Sequence, residues 1–262
     1  MYVDSHCHLD FEQFDKDRDA IVQRARAAGV ERMVTISTSL KSFPKVLQIA
    51  ETYEDVYCSI GLHPHDADKE GHLVTGHCLV EQLNHPKIVG IGETGLDYFY
   101  EYSSREGQQE AFRKHIRAAI ASGVPLIIHT REAEADTIRL LEEERKGCED
   151  RLRGVLHCFS SNRELAEYAI QIGFYISVSG MLTFKKSENI REIIQDVPKD
   201  RLLIETDSPY LAPIPYRGKT CEPAYVVHTA QKLAEVKETP VEEMAKITTE
   251  NFYTLFDKVQ RA

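Results

Sequence analysis

His6-Cys7-His8 places two imidazoles one residue apart at the end of a short apolar run. On an extended strand both rings point to one face, and two neutral imidazoles side by side chelate a divalent metal ion. Cys7 points the other way and reads as a small core residue. Further ionisable groups end similar runs: Gly61-Leu62-His63-Pro64-His65, Gly92-Glu93-Thr94-Gly95-Leu96-Asp97, Ile128-His129-Thr130-Arg131, His157-Cys158 and Glu205-Thr206-Asp207-Ser208-Pro209. Alternation groups Glu93 with Gly95 and Asp97, His129 with Arg131, and Glu205 with Asp207. One histidine in such a place is usually a structural hydrogen-bonding group. A His-x-His, a Glu, two more His and an Asp, each closing an apolar run, is a metal-ligating set. His72, His77, His85, His115 and His228 fall in helical or loop stretches and read as structural.

The elements that must position these groups are eight β-branched apolar runs: Tyr2–His6, Arg32–Ser37, Val56–Leu62, Ile88–Ile91, Val124–His129, Gly154–Cys158, Phe174–Val178 and Leu202–Glu205. Most are continuous rather than alternating, the mark of strands covered on both faces and so of a parallel sheet. Helix-like stretches lie between them. Those at 17–28, 105–122 and 162–172 stop at Gly29, Gly123 and Gly173, where a left-handed cap is expected. After the eighth run come Pro209, Pro213 and Pro215, a helix over 224–236, and Thr239-Pro240-Val241-Glu242, which has the form of a capping box with Pro at the first helical position. From His8 to Asp207 the strand ends recur about every 28 residues, the length of a βαβ unit. Eight such units predict a single α/β domain over 1–262, a (β/α)8 TIM-type barrel with an extra C-terminal helix. No GxGxxG follows the first strand, which argues against a dinucleotide-binding sheet. In a barrel of this kind the carboxyl ends of the strands, where the ionisable groups sit, carry the chemistry.

Composition narrows the function. The 42 acids and 32 bases give a formal charge of −10, unlike a protein that grips a duplex along its backbone. Six scattered cysteines with no CxxC pair suit a reducing compartment. The N-terminus lacks a basic stretch followed by an apolar run, and no segment approaches the roughly 20 apolar residues that span a bilayer. The expectation is a cytoplasmic protein with no membrane and no obligate protein partner.

The motifs Val3-Asp4-Ser5-His6-Cys7-His8-Leu9-Asp10, Gly92-Glu93-Thr94-Gly95-Leu96-Asp97-Tyr98, Ile128-His129-Thr130-Arg131, Leu156-His157-Cys158-Phe159-Ser160, Glu205-Thr206-Asp207-Ser208-Pro209-Tyr210-Leu211 and Arg217-Gly218-Lys219 occur in this order. The ordered set, from residue 2 to about residue 256, resembles the TatD family of metal-dependent deoxyribonucleases, within the amidohydrolase-like metal hydrolases. The resemblance implies a two-metal site. His6, His8, Glu93 and Asp207 would hold one ion, and Glu93 would bridge to a second held by His129 and His157, in the place of the carboxylated lysine of related amidohydrolases. It also implies nuclease activity supported by Mg. Two departures, Cys221 where the family commonly has Asn and Ser161 where many members have Gly, touch no ligand and bear on substrate preference.

Two ions bridged by a carboxylate lower the pKa of a shared water and clamp a phosphoryl or carbonyl oxygen. They also make the site locally positive inside an acidic protein. The reading that fits is a hydrolase acting on DNA ends, or RNA ends, from the 3′ end, with Asp207 and Glu93 as the catalytic carboxylates. The alternatives are hydrolysis of an ester or amide carbonyl, small-molecule or aminoacyl-tRNA, on the same site, and a non-enzymatic metal-binding scaffold. Four imidazoles favour Zn, Mn, Co or Ni over Mg. Arg131, Arg217 and Lys219 are candidate phosphate contacts, His63 could position substrate or carry a proton, Tyr98 and Phe99 could stack a base, and Glu205 could orient Asp207 or a ligating histidine.

Overall fold

The computed structural model describes residues 1–261. Eight parallel strands form one sheet in chain order: β1 (Tyr2–Cys7), β2 (Val30–Thr35), β3 (Val56–Ile60), β4 (Ile88–Asp97), β5 (Leu126–Arg131), β6 (Gly154–Leu156), β7 (Tyr175–Val178) and β8 (Leu202–Ile204). Helices follow them: α1 (Arg18–Ala27), α2 (Phe43–Thr52), the short α3 (Ala67–Glu70) and α4 (Gly76–Gln82), α5 (Arg105–Ser122), α6 (Glu134–Arg145), α7 (Arg163–Gln171), α8 (Glu188–Asp196), α9 (Val226–Val236) and α10 (Val241–Leu255). The barrel closes where β1 meets the segment after β8. The Asp207 N–H donates to His6 O at 2.9 Å and the His8 N–H to Ser208 O at 2.8 Å. Deeper in the same seam, the Ser5 hydroxyl donates to Ile204 O at 3.0 Å. Thr206 donates its N–H and hydroxyl to the buried Asp4 carboxyl.

Alternation along the strands sorts the apolar side chains into two layers. Val3, Val34, Tyr57, Val89, Ile127, Val155, Tyr175 and Leu203, one from each strand, pack inside the barrel. Their neighbours, among them Met33, Cys58, Ile88, Leu126, Leu156, Ile176 and Leu202, pack outward against the helices. This is why the runs are continuous: both faces of each strand leave water. Helix periodicity supplies the matching surface, as in α8, which buries Ile190, Ile193 and Ile194 on one face. Cys7 lies in the outer layer, its thiol 3.4 Å from Val34 O.

The amino-terminal end of the barrel is plugged by the C-terminal helix. Phe252 and Phe256 join the inner layer, each contributing about 1.5–3 kcal/mol through burial. Asn251 Nδ2 donates to Lys199 O and Leu202 O, both at 2.8 Å, fixing α10 under β8. The carboxyl-terminal end stays open to the loops that carry the polar motifs.

Gly29, Gly123 and Gly173 all take the left-handed conformation expected of them. Two local expectations are corrected. The capping box does not form: α10 starts at Val241 with Pro240 as its N-cap, and the Thr239 hydroxyl donates to Lys237 O instead. Strand β4 runs on to Asp97 rather than stopping at Ile91. Gly92 and Gly95 continue the strand with φ of +142° and +136°, and a Cβ at Gly95 would stand 2.0 Å from His129 O. Only glycine lets β4 lie this close to β5.

Candidate metal centre

Glu93 lies at the bottom of the open barrel end with its side chain 4% exposed, and its two oxygens face different partners. Oε2 is 3.4 Å from His6 Nε2 and 3.8 Å from His8 Nε2. Oε1 is 2.8 Å from His157 Nε2 and 3.2 Å from His129 Nδ1. Asp207 Oδ1 completes the first group, 3.3 Å from His8 Nε2 and 3.6 Å from His6 Nε2. The two Nε2 atoms of that group are 3.3 Å apart, as are His129 Nδ1 and His157 Nε2 in the second. The six residues read from the sequence as ligands are thus brought together, in two sets that share Glu93.

The donor set fits divalent cations. Ligand atoms about 2.0–2.1 Å from a tetrahedral ion stand about 3.3–3.4 Å from one another, and the first group's separations run from 3.3 to 3.8 Å. Imidazole lone pairs converging on carboxylate oxygens in a buried space is an arrangement that a cation stabilises. Three groupings of ligand atoms close enough to hold an ion occur here: His6–His8–Asp207, His6–Glu93–His157 and His63–Glu93–His129.

Local backbone irregularity aims two of these side chains. Pairing between β1 and β2 shifts register between Asp4 and Cys7, and pairing between β4 and β5 shifts between Ile91 and Thr94. His6 lies in the first break and Glu93 in the second. A register break re-aims a side chain that plain alternation would send elsewhere. His129 needs no such device, because it shares a face with Ile127 of the inner layer.

Outer partners hold the second group. His157 Nδ1 is 3.3 Å from Glu205 Oε1, which also accepts from the Cys158 N–H at 2.8 Å. His129 Nε2 is 3.2 Å from Asp97 Oδ2, which is itself 2.8 Å from His65 Nε2. A carboxylate on the far nitrogen fixes ring orientation and tautomer and raises ligand basicity. Asp97 and His65 were legible in the strand-end motifs, and alternation grouped Asp97 with Glu93, but neither stood out as part of the site.

His63 reaches the centre too, its Nε2 3.5 Å from Glu93 Oε1. Its Nδ1 accepts the His65 N–H at 3.2 Å, so in the neutral ring Nε2 carries the proton. That tautomer makes His63 a hydrogen-bond donor to the site rather than a ligand.

Burial opposes charge on every group here. It would raise Glu93, but the surrounding imidazoles, His157 foremost, hold the carboxyl well below its ordinary value. Asp207 is lowered against burial by its hydrogen bond to His8. Burial would lower His157, yet Glu93 and Glu205 push it well above its usual range. His129 is raised in the same way by Asp97 and Glu93, and His8 by Asp207. For His63 and His6 burial wins, and both are lowered. Without a cation the carboxylates therefore favour the protonated forms of His8, His129 and His157 relative to a free imidazole.

The remaining candidates lie around the rim. Arg131 stacks its guanidinium 3.9 Å over the Phe99 ring and 4.7 Å over Tyr100. Tyr98 is turned away: its hydroxyl is 2.8 Å from Asp136 Oδ2, and its ring packs beneath Arg105. Its neighbour Phe99 is the exposed ring of the pair. Arg217 lies over Phe184 and Lys219 over Tyr216, both on the exposed loop after β8. Cys221 is buried, and so is Ser161 just before the start of α7. Among the described residues no helix is long and apolar enough to cross a membrane.

Known proteins share both sequence and fold. The family described as TatD related DNase matches residues 3–257. YabD of Bacillus subtilis (strain 168), described as an uncharacterized metal-dependent hydrolase, is 41% identical over 259 residues, covering 98% of this chain and 99% of its own. YcfH of Escherichia coli (strain K12), described in the same words, is 41% identical over 258 residues, covering 97% and 95%. The crystal structure of YjjV, a TatD homolog from E. coli K12, superposes with a TM-score of 0.86 at 31% identity and covers 98% of each chain. With a ligand cluster at the open end of the barrel and relatives along its whole length, this chain belongs to the TatD family of metal-dependent hydrolases.

Proposed function

We propose that the chain is a phosphodiesterase that trims DNA from its 3′ end using a water activated between two divalent cations. The observation that carries this reading is the division of Glu93, one oxygen toward His6 and His8 and the other toward His129 and His157. When bound, cations held by His6, His8, Glu93 and Asp207 and by Glu93, His129 and His157 would acidify a water and polarise a phosphoryl oxygen. The nitrogen-rich donors suit Zn or Mn better than Mg.

Asp207 is the proton acceptor. Its side chain is 15% exposed against 4% for Glu93, so it is the carboxylate open to the mouth. Against burial, the hydrogen bond with His8 holds its carboxyl below the ordinary value and keeps it ionised. His63 directs its Nε2–H into the space beside Glu93 Oε1 and donates to a substrate oxygen there. The water oxygen bonds to phosphorus, the P–O bond to the departing nucleotide breaks, and the proton on Asp207 returns to the leaving oxygen. Among the described residues Arg131, Arg217 and Lys219 lie over aromatic rings rather than pairing with carboxylates, leaving their charge for neighbouring phosphates. The description of the matching family as a DNase supports the choice of substrate.

The test is incubation of metal-loaded protein with end-labelled single- and double-stranded DNA, RNA and a charged tRNA. Stepwise shortening of DNA from the 3′ end, lost by roughly a hundredfold or more in Asp207→Asn, is expected. Release of the amino acid from an otherwise intact tRNA, with DNA untouched, would replace this reading by carbonyl hydrolysis.

A further inference from the structure

The amino-terminal end of the barrel, opposite the metal centre, holds a cavity of about 680 Å³. The bases of β2, β3 and β4 frame it, with the last turn of α1 and the segment after α10. Five cations line it, Arg26, Arg32, Lys87, Lys258 and Arg261, against two carboxylates, Glu54 and Asp55. In a chain of formal charge −10 the sign is locally reversed. Polar groups at this face of a barrel ordinarily serve stability, so the partner of each cation decides what is left for a ligand.

Two of the cations are neutralised. Arg26 donates to both Asp55 oxygens, from Nε at 2.8 Å and from Nη2 at 2.5 Å. Arg261 pairs with Glu250, outside the cavity, at 2.7 Å. The other three meet only backbone. Lys87 Nζ donates to the Tyr53, Glu54 and Val56 carbonyls at 3.0, 2.8 and 2.9 Å. Lys258 Nζ donates to the Leu83, His85 and Ile88 carbonyls at 2.7, 3.2 and 2.6 Å. Arg32 donates from Nε to Gln260 O at 3.0 Å and from Nη1 to Glu31 O at 2.7 Å. Carbonyl dipoles hold these groups without cancelling their charge, and burial pushes both ammonium pKa values down. Among the described residues, three cations therefore face one unpaired carboxylate, that of Glu54, an excess of two positive charges. Each ammonium has all three of its N–H groups engaged. Free donors remain on the guanidiniums, where Arg26 Nη1 and Arg32 Nη2 have no partner among the described residues.

We infer that this cavity binds a pyrophosphate group, free or carried by a nucleoside diphosphate, through Arg26 and Arg32. Guanidinium edges match phosphate oxygens in geometry and charge. An excess of two positive charges calls for a ligand with at least two negative ones. A volume of about 680 Å³ exceeds the needs of a single small ion and lies within the roughly 300–1,000 Å³ of small-molecule sites. Pro86 and Tyr57 supply the apolar wall on which a nucleoside would rest. Lys87 and Lys258 contribute field rather than contacts, and an anion relieves the cost of keeping them charged away from water. The site lies at the other end of the barrel from the metal centre, and the inference does not depend on the phosphodiesterase reading.

The experiment is calorimetric titration of the metal-loaded protein with inorganic pyrophosphate and, separately, with adenosine diphosphate. One saturable site is expected, weakened by added salt. Arg32→Gln should lower affinity by roughly tenfold or more, the effect of one lost charged hydrogen-bonding group. Glu54→Gln should raise it about two- to fivefold by removing an exposed like charge, a gain that misfolding cannot produce. Both variants should keep wild-type metal content. Because pyrophosphate also has affinity for bound cations, Glu93→Gln is the control: its centre is depleted of metal, and the site should persist. Tighter binding of adenosine diphosphate than of pyrophosphate supports the site and assigns the nucleoside to the apolar wall. Equal or weaker binding supports the site for the free anion. Absence of saturable binding of either probe, unchanged affinity in both Arg32→Gln and Glu54→Gln, or binding that disappears in Glu93→Gln overturns the inference.

Discussion

Asp97 Oδ2 lies 3.2 Å from His129 Nε2, on the side of the ring opposite the Nδ1 atom that faces Glu93. The ring is pinned between two carboxylates, one at the centre and one behind it. Asp97→Asn should therefore lower metal affinity at the second group by roughly 10- to 100-fold, the usual effect of losing an outer carboxylate. Competition with a coloured chelator measures this. Unchanged affinity would mean that Asp97 serves only the loop after β4.

Glu93→Gln should reduce retention at both groups, because each oxygen faces a separate set of imidazoles. Elemental analysis after gel filtration should show both cations depleted. Loss of one cation with full retention of the other would end the bridging assignment.

Acidification should release metal. In the metal-free protein His129 and His157 are raised. Their charged contribution is complete below the unfolded histidine value and disappears as pH rises through the higher folded values. A cation must displace those protons, so affinity climbs with pH across that window. Glu93, held well below its ordinary value, and Asp207, also lowered, stay ionised throughout that window. Calorimetric titration of apo-protein at pH 5.5 and pH 7.5 should give markedly weaker binding, with more protons released, at the lower pH. Equal affinities would contradict this electrostatic picture.

His115 sets an acid limit on stability away from the metal. It is fully buried on α5, with Nδ1 at 2.7 Å from Ala111 O and Nε2 accepting the Leu62 N–H at 3.1 Å. Burial pushes its pKa down to about 4. The unfolded chain takes up a proton near pH 6.5 that the folded chain refuses until about pH 4, so stability falls as pH falls through that interval. The loss between pH 7 and pH 5 is about 2 kcal/mol from this residue. Urea unfolding of chelated wild type and of His115→Gln should show a steeper acid dependence in wild type. Parallel curves would remove His115 from the acid response.

The barrel was readable because burial on both faces demands continuous apolar runs, and eight such runs at βαβ spacing leave few alternatives. The aim of His129 and Glu205 was readable for the same reason: β5 and β8 are regular, and parity carries from Ile127 and Leu203 to the open end. His6 and Glu93 were found by residue type, but their orientation depends on register breaks that no periodicity announces. Beyond Ile91 the glycines of Gly92-Glu93-Thr94-Gly95 interrupt the apolar run without ending the strand, since a positive φ in glycine serves close strand approach as well as turns. Of the two rings read as stacking candidates, Tyr98 is not the one that is exposed. Its ring is drawn outward by Asp136 and Gln109, and Phe99 takes the exposed position.

The seam between β1 and the segment after β8 has a consequence for how the molecule is made. His6 and His8 are synthesised some 200 residues before Asp207, so the first ligand group cannot assemble on a nascent chain until nearly the whole barrel has been made. Closing a ring of about 200 residues carries a large entropic cost, and a cation shared by His6, His8 and Asp207 would stitch that ring shut from inside. Chelation would then do more than silence the centre. It would unlatch the first strand from the last, and amide exchange along Val3–His8 should quicken while the plug formed by Phe252 and Phe256 keeps its protection.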